Sequence, residues 1–253
     1  MGYICASIIN IELRSDKYVQ KPYPKFLHGL CYHLAGKSYS HHKYKPPKFH
    51  PFISNWNANK WGTKANIKIA NIDEKLKLNI LDSLERSSLL RLGYSQLTIT
   101  RFAIERQENI SLDLSKSIPV PNEFKINFIT PTKFRTRSVQ YYGTTAYPDV
   151  SLLIRSISRN LHILYGVKLT LEKQEELAKN ILLINAIGYP VRSKIGRTSE
   201  YEDGFVGELH LSCVNLDEEQ KRIFGMLLRT AMYTGIGHKK GYGYGHIKIN
   251  RPL

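Results

Sequence analysis

The chain has 253 residues, 42% of them apolar, and carries 37 Lys and Arg against 21 Asp and Glu, a formal net charge of +16. That apolar share is enough to bury a core, which excludes a disordered basic tail, and the charge calls for a polyanionic partner. Cys5, Cys31 and Cys213 lie far apart with no CxxC pair, which excludes a zinc ribbon or disulfide framework and fits a reducing cytoplasm. No signal peptide or membrane-spanning run is expected, and neither basic tract has the pattern of a membrane-surface helix.

Residues 3–13 alternate as a strand, with Cys5, Ile9, Ile11 and Leu13 on one side. Pro22 and Pro24 introduce a helix of about a dozen residues that ends near Gly36. Leu27, Leu30, Cys31 and Leu34 form its buried stripe, while His28 and Tyr32, four apart, share another face. Residues 37–48 make a basic loop stiffened by Pro46 and Pro47. Strands follow near 49–55 and 64–71, then a helix from Asp73 with Leu76, Ile80, Leu81 and Leu84 as its apolar face. Gly93 lies past its end, and Gln96 to Glu105 alternates as a further strand. The order β-α-β-β-α-β is that of a ferredoxin-like unit.

Residues 106–122 are polar, end in two prolines and read as a linker. The order then repeats without repeating the sequence. Phe124–Ile129 is a strand, Pro148 opens a helix carrying Val150, Leu153, Ile154, Ile157 and Leu161, and a second helix is expected over 172–187. Tyr189–Thr198 and Phe205–Cys213 read as a hairpin with a charged tip. Asp217 and Gln220 make a capping box for a helix whose apolar face is Ile223, Phe224, Leu227, Leu228 and Ala231. His246–Asn250 is the last strand. The expected fold class is α+β: two tandem ferredoxin-like (RRM-like) domains, 1–115 and 123–253.

Two features carry chemistry. Gly235–Gly245 places five glycines among two lysines, a histidine and two tyrosines. Such a density suggests backbone N–H groups converging on an anion rather than packing, with a glycine-rich hairpin as the plain alternative. It is not a P-loop, because no Gly-Lys-Ser/Thr follows. The second feature is the window from Lys17 to Ile72, which has ten lysines, five histidines and no acid; acids are absent again after Glu219. A window without carboxylates counts against magnesium chemistry there. His41, His42 and His50 lack a cysteine or carboxylate near in sequence to complete a metal site. No metal and no cofactor is expected.

The loop Gly235–Gly245 resembles the glycine-rich signature of the RAMP superfamily, specifically the CRISPR-associated endoribonucleases of the sixth numbered Cas family. Thr130-Pro131-Thr132-Lys133-Phe134-Arg135 with Tyr147-Pro148-Asp149, Phe205-Val206-Gly207-Glu208-Leu209, and Leu27-His28-Gly29-Leu30-Cys31-Tyr32 resemble further family segments. The resemblance implies cleavage of precursor CRISPR RNA within its repeat, without metal, leaving a 2′,3′-cyclic phosphate in a prokaryotic cytoplasm. By position it implies a catalytic set of Tyr32, His42 and Lys48, with His28 and His33 as rival histidines. RNA contacts are expected from Gly235, Gly237, His238, Lys239, Lys240, Gly241, Tyr242, Gly243 and Gly245, and from the hairpin cations Arg192, Lys194 and Arg197, for which an ordinary charged turn is the plain alternative. The expected partner is CRISPR repeat RNA, with other effector subunits and a monomeric or homodimeric state left open. The alternative is a RAMP protein that holds CRISPR RNA in an effector complex without cutting it.

Overall fold

A computed structural model describes residues 3–36, 48–137, 142–196 and 200–250. The first half builds an antiparallel sheet from β1 (Tyr3–Ser15), β2 (Phe49–Asn59), β3 (Gly62–Asn71), β4 (Leu89–Leu92) and β5 (Ser95–Ser111), in the order β2-β3-β1-β5-β4. Helices α1 (Pro24–Ala35) and α2 (Glu74–Glu85) cover one face. The alternation in β1 explains why: Ile9, Ile11 and Leu13 join Leu27, Leu30, Leu34, Leu76, Ile80 and Leu84 in one buried cluster. Pro24 starts α1 at a position that needs no backbone donor, and the Asp73 side chain accepts from Leu76 N at 2.9 Å to cap α2.

The second half repeats the arrangement with β6 (Glu123–Thr132), β9 (Leu182–Lys194), β10 (Tyr201–Ser212) and β11 (Ile247–Asn250), ordered β11-β6-β10-β9. Between β6 and β9 lie a two-stranded ribbon, β7 (Phe134–Arg137) with β8 (Tyr142–Thr145), and helices α3 (Val150–Tyr165) and α4 (Leu171–Asn180). Helix α5 (Glu218–Thr234) precedes β11 and carries the expected capping box, with both Asp217 and Gln220 bonds formed. Stripped of the extra β4, ribbon and α4, the two sheets share one strand order, so the chain is two tandem ferredoxin-like domains.

The joint between them is apolar. Ile4, Ala6, Phe52, Ala70, Ile72 and Ile110 from the first sheet belong to the same buried cluster as Phe224, Leu227, Leu228, Ala231 and Tyr233 of α5. Helix α5 is therefore enclosed between its own sheet and the open face of the first, and its burial extends to Met226 and Met232, beyond the single stripe its sequence suggests. Two expectations are corrected. Residues 106–111 are strand, not linker, because β1 extends to Tyr3 and its ladder continues to Ser111. The helix expected over 172–187 stops at Asn180, and Leu182–Ile187 pair with Ser212–Glu208 of β10 instead. Among the described residues no helix is long and apolar enough to cross a membrane.

Candidate nucleic-acid interface

The glycine loop leaves α5 and passes through a short turn at Lys240–Tyr242 before entering β11. Its amides are largely engaged by the protein. Ile236 N donates to Gly245 O (2.9 Å), Gly237 N to Ser156 Oγ (2.7 Å), His238 N to Lys133 O (2.7 Å) and Gly245 N to Pro131 O (3.0 Å). The glycines allow close backbone approach. A Cβ at Gly235 (φ 66°) would stand 2.6 Å from the His50 ring, and one at Gly243 (φ 88°) 2.6 Å from the Pro51 carbonyl oxygen. Both contacts reach β2 of the other domain. The view that such a glycine density is not for packing is corrected here: the loop packs its backbone against β2 across the joint between the domains.

Its cations also have protein partners. Lys239 lies 3.1 Å from Glu200 and 2.6 Å from Glu202, and Glu202 also receives Lys133. Lys240 Nζ bonds Asn160 Oδ1 of α3, and burial, with Arg159 nearby, pushes its pKa down to about 7. His238 is held near 4, first by burial and then by Arg135 and Lys239. Tyr242 is half-buried and Gly241 buried.

Helix α1 meets the outer side of this loop. His28 Nδ1 lies 3.0 Å from Gly241 O, and its ring stands edge-on to both Tyr32 and Tyr242, each with centroids 4.8 Å away. Tyr32 packs edge-on against Phe49 at 5.0 Å. The (i, i+4) spacing of His28 and Tyr32 thus forms a shared aromatic face against the other domain. His33 is exposed on a different side of the helix. Lys48 enters β2 and pairs with the α2 cap, its Nζ 2.5 Å from Asp73 Oδ2. Burial alone would raise the Asp73 carboxyl, but hydrogen bonds from Lys48 and Leu76 offset that and keep it low. Tyr32 and Lys48 therefore flank the segment 37–47; His42 lies in it, outside the described residues.

The β9–β10 hairpin leans on the start of α1. Ile195 O accepts from Lys25 N (3.2 Å), Lys194 lies over the Tyr23 ring (5.6 Å), and Arg192 over Tyr201 (5.0 Å). Arg197 lies outside the described residues. Sequence reasoning missed a buried stack at the joint, in which His246 lies on Phe52 with centroids 3.5 Å apart and on His50 at 5.6 Å. It also missed Glu202, the acid that receives both Lys133 and Lys239. Their partners come from distant strands, so no local pattern marks them. His50 is fully buried in that stack, and among the described residues no three His, Cys, Asp or Glu side chains gather to hold a metal ion.

The two ferredoxin-like domains thus meet at a C-terminal glycine loop, with α1 and a cationic hairpin at the joint. Residues 126–247 match the family model of the CRISPR-associated endoribonuclease Cas6. By sequence, no curated protein matches. Among solved structures, a Cas6 product complex superposes with a TM-score of 0.79 at 20% identity, covering 97% of this chain and 99% of that one. A Thermus thermophilus Cas6 gives 0.72 at 18% identity, covering 99% and 100%. A Cas6-related protein from Pyrococcus furiosus gives 0.63 at 16%, covering 98% and 100%. At these identities the likeness establishes the fold.

Proposed function

We propose that the chain is an endoribonuclease that cuts precursor CRISPR RNA within its repeat, without metal, by attack of the RNA's own 2′-OH. The match of residues 126–247 to the Cas6 endoribonuclease family carries this reading. Structural relatives described as product and substrate-mimic complexes support it. The domain division proposed is 1–115, bearing the catalytic segment, and 123–253, bearing the glycine loop and hairpin.

The 2′-oxygen forms a bond to phosphorus while the bond from phosphorus to the 5′-oxygen breaks, leaving a 2′,3′-cyclic phosphate and a free 5′-OH. One proton leaves the 2′-OH and one reaches the 5′-oxygen. His42 is assigned the proton transfers, since an unperturbed imidazole titrates at about 6.5. Lys48 is assigned the charge developing on the phosphoryl oxygens, a role worth about 3 kcal/mol for one well-placed donor. In this role its Nζ exchanges Asp73 for the phosphate. Tyr32, fixed by Phe49 and His28, is assigned to orient the 2′-OH or the phosphate. Arg192, Lys194 and Arg197 are assigned to the repeat backbone and base edges, and the outer residues of the glycine loop to the strand near the cut.

Incubation with host repeat RNA in excess chelator tests the whole reading. A single cut within the repeat, with a cyclic phosphate on the upstream product, is expected. Tight binding without a cut would favour the non-catalytic RAMP protein.

A further inference from the structure

The acid-free window from Lys17 to Ile72 supplies Lys48 and the segment before it to the proposed reaction, but its far end has no part in it. That end is the tip between β2 and β3, about 35 Å of strand away from Lys48. Trp61 stands there 79% exposed, and Tyr18, on the segment beside the tip, is 62% exposed. A single exposed aromatic is ordinary on a protein surface. This one borders a built, concave site.

The other walls of the cleft include Arg14, Asn57, Asn59, Thr63 and Lys64, and its volume is about 220 Å³. Asn57 stands opposite Lys64, and Lys64 opposite Arg14, so the three form one row across the sheet. Hydrogen bonds fix the frame. Asn59 Oδ1 accepts from Trp61 N (2.9 Å), while Thr63 Oγ1 accepts from Val19 N (2.8 Å) and donates to Lys17 O (3.2 Å). Trp56 Nε1 donates to Val19 O (3.2 Å). A Cβ at Gly62 (φ 142°) would stand 2.5 Å from Ser15 O, so the tip is pressed onto the end of β1. Little ordering is left for binding to impose.

The chemistry of the walls selects the ligand. The cleft is smaller than the roughly 300 Å³ at which pockets begin to enclose a whole small molecule, so it suits one part of a longer one. Lys60 Nζ lies 4.8 Å from the centroid of the Trp61 ring, and with Arg14 and Lys64 it sets three cations around an aromatic face. Asp16 lies 3.4 Å from Arg14, but both side chains are largely exposed, so a phosphate displaces that pair at little cost. An indole among cations and amide side chains holds a base by stacking and its phosphates by charge. A lipid surface calls for apolar side chains that insert, where Asn57 and Asn59 offer amides. We propose that the β2–β3 tip is a second RNA site, at which a base of single-stranded RNA stacks on Trp61. Asn57 and Asn59 meet the edge of that base, and Arg14, Lys60 and Lys64 hold the flanking phosphates. This rests on the reading of the chain as a nuclease of precursor RNA, and it assigns the outer end of the first domain to single-stranded RNA running on from the repeat.

The test is equilibrium binding of a repeat RNA made uncleavable by one 2′-deoxy nucleotide just upstream of the cut. It is compared bare and with a single-stranded uridine tail at its 5′ or its 3′ end. One of the tails should tighten binding by about tenfold, the worth of one stacked base. Trp61→Ala should abolish that gain, with binding and cleavage of the bare repeat and the circular dichroism spectrum unchanged. Trp61→Phe keeps a ring and should retain most of the gain. Neither substitution alters charge, so the loss cannot come from general electrostatics. Sedimentation with anionic phospholipid vesicles should not depend on Trp61. Tails that add nothing at either end overturn the proposal, as does a gain that survives Trp61→Ala or a vesicle affinity that Trp61→Ala removes. An all-ribose repeat that is bound but not cut would instead count against the nuclease reading and leave the gain from the tail standing.

Discussion

His42→Ala is expected to slow single-turnover cleavage by about 10²–10⁴-fold with little change in RNA binding, because a proton-transfer group acts on the transition state. If that variant cuts at the wild-type rate while His28→Ala or His33→Ala is inactive, the positional assignment is wrong. The buried histidines make a separate prediction about pH. His246 is held down to about 3, first by burial and then by Lys68, and His50 is held well below its ordinary value by burial and then by His246. Both stay neutral in the fold, while the unfolded chain takes up their protons near pH 6.5. Their contribution to stability is therefore complete above pH 6.5 and is lost as pH falls below it, for His246 down to about 3, at up to about 1.4 kcal/mol per pH unit. His246→Phe, which keeps a ring on Phe52, should flatten the dependence of urea midpoints on pH between neutral and mildly acid conditions; an unchanged slope would exclude this stack as the cause. Gly243→Ala forces a side chain into positive φ against the Pro51 carbonyl and should cost more than about 1 kcal/mol in denaturant unfolding. At this scale the sequence showed which residues were charged, but not which acids receive the charge. Lys239 and Lys240 looked free for phosphate because Glu200, Glu202 and Asn160 are far away along the chain.

The elements that were legible carry local signals. The capping box of α5, the proline start of α1 and the alternation in β1 each need only a few neighbouring residues to be recognised. β9 was not legible. Ile181–Ile187 is a short apolar run whose pattern suits a helix or a strand equally, and only pairing with β10 decides between them. The same holds for the end of β5, whose polar sequence reads as linker until β1 is placed beside it. The hairpin that β9 and β10 form is the element proposed to choose the substrate. Replacing Lys194 and Arg197 together by Ala should weaken binding of the cognate repeat more than of unrelated RNA, as measured by filter binding. Equal losses on both would reduce these residues to general phosphate contacts. Lys194 also rests on Tyr23 of the other domain, so circular dichroism of the variant must match wild type for the comparison to count.

For the whole molecule, charge and topology were visible early, while the joint was not. The repeated β-α-β-β-α-β order gives two domains, but only the structure shows α5 clasped by both sheets, with Glu108 of β5 receiving Tyr233 at 2.6 Å and Arg229 at 2.5 Å. A net charge of +16 predicts that RNA affinity falls steeply with salt, by about 0.7–0.9 in the slope of log K against log salt for each phosphate neutralised. The central claim is that the RNA supplies its own nucleophile and this chain supplies the proton transfers and the charge. It is tested most directly with a repeat RNA carrying one 2′-deoxy nucleotide just upstream of the cut, in excess chelator. The account predicts that this substrate binds as tightly as all-ribose RNA and is not cut, while the all-ribose RNA is cut once to a cyclic phosphate. Cleavage of the deoxy substrate at the all-ribose rate would contradict it.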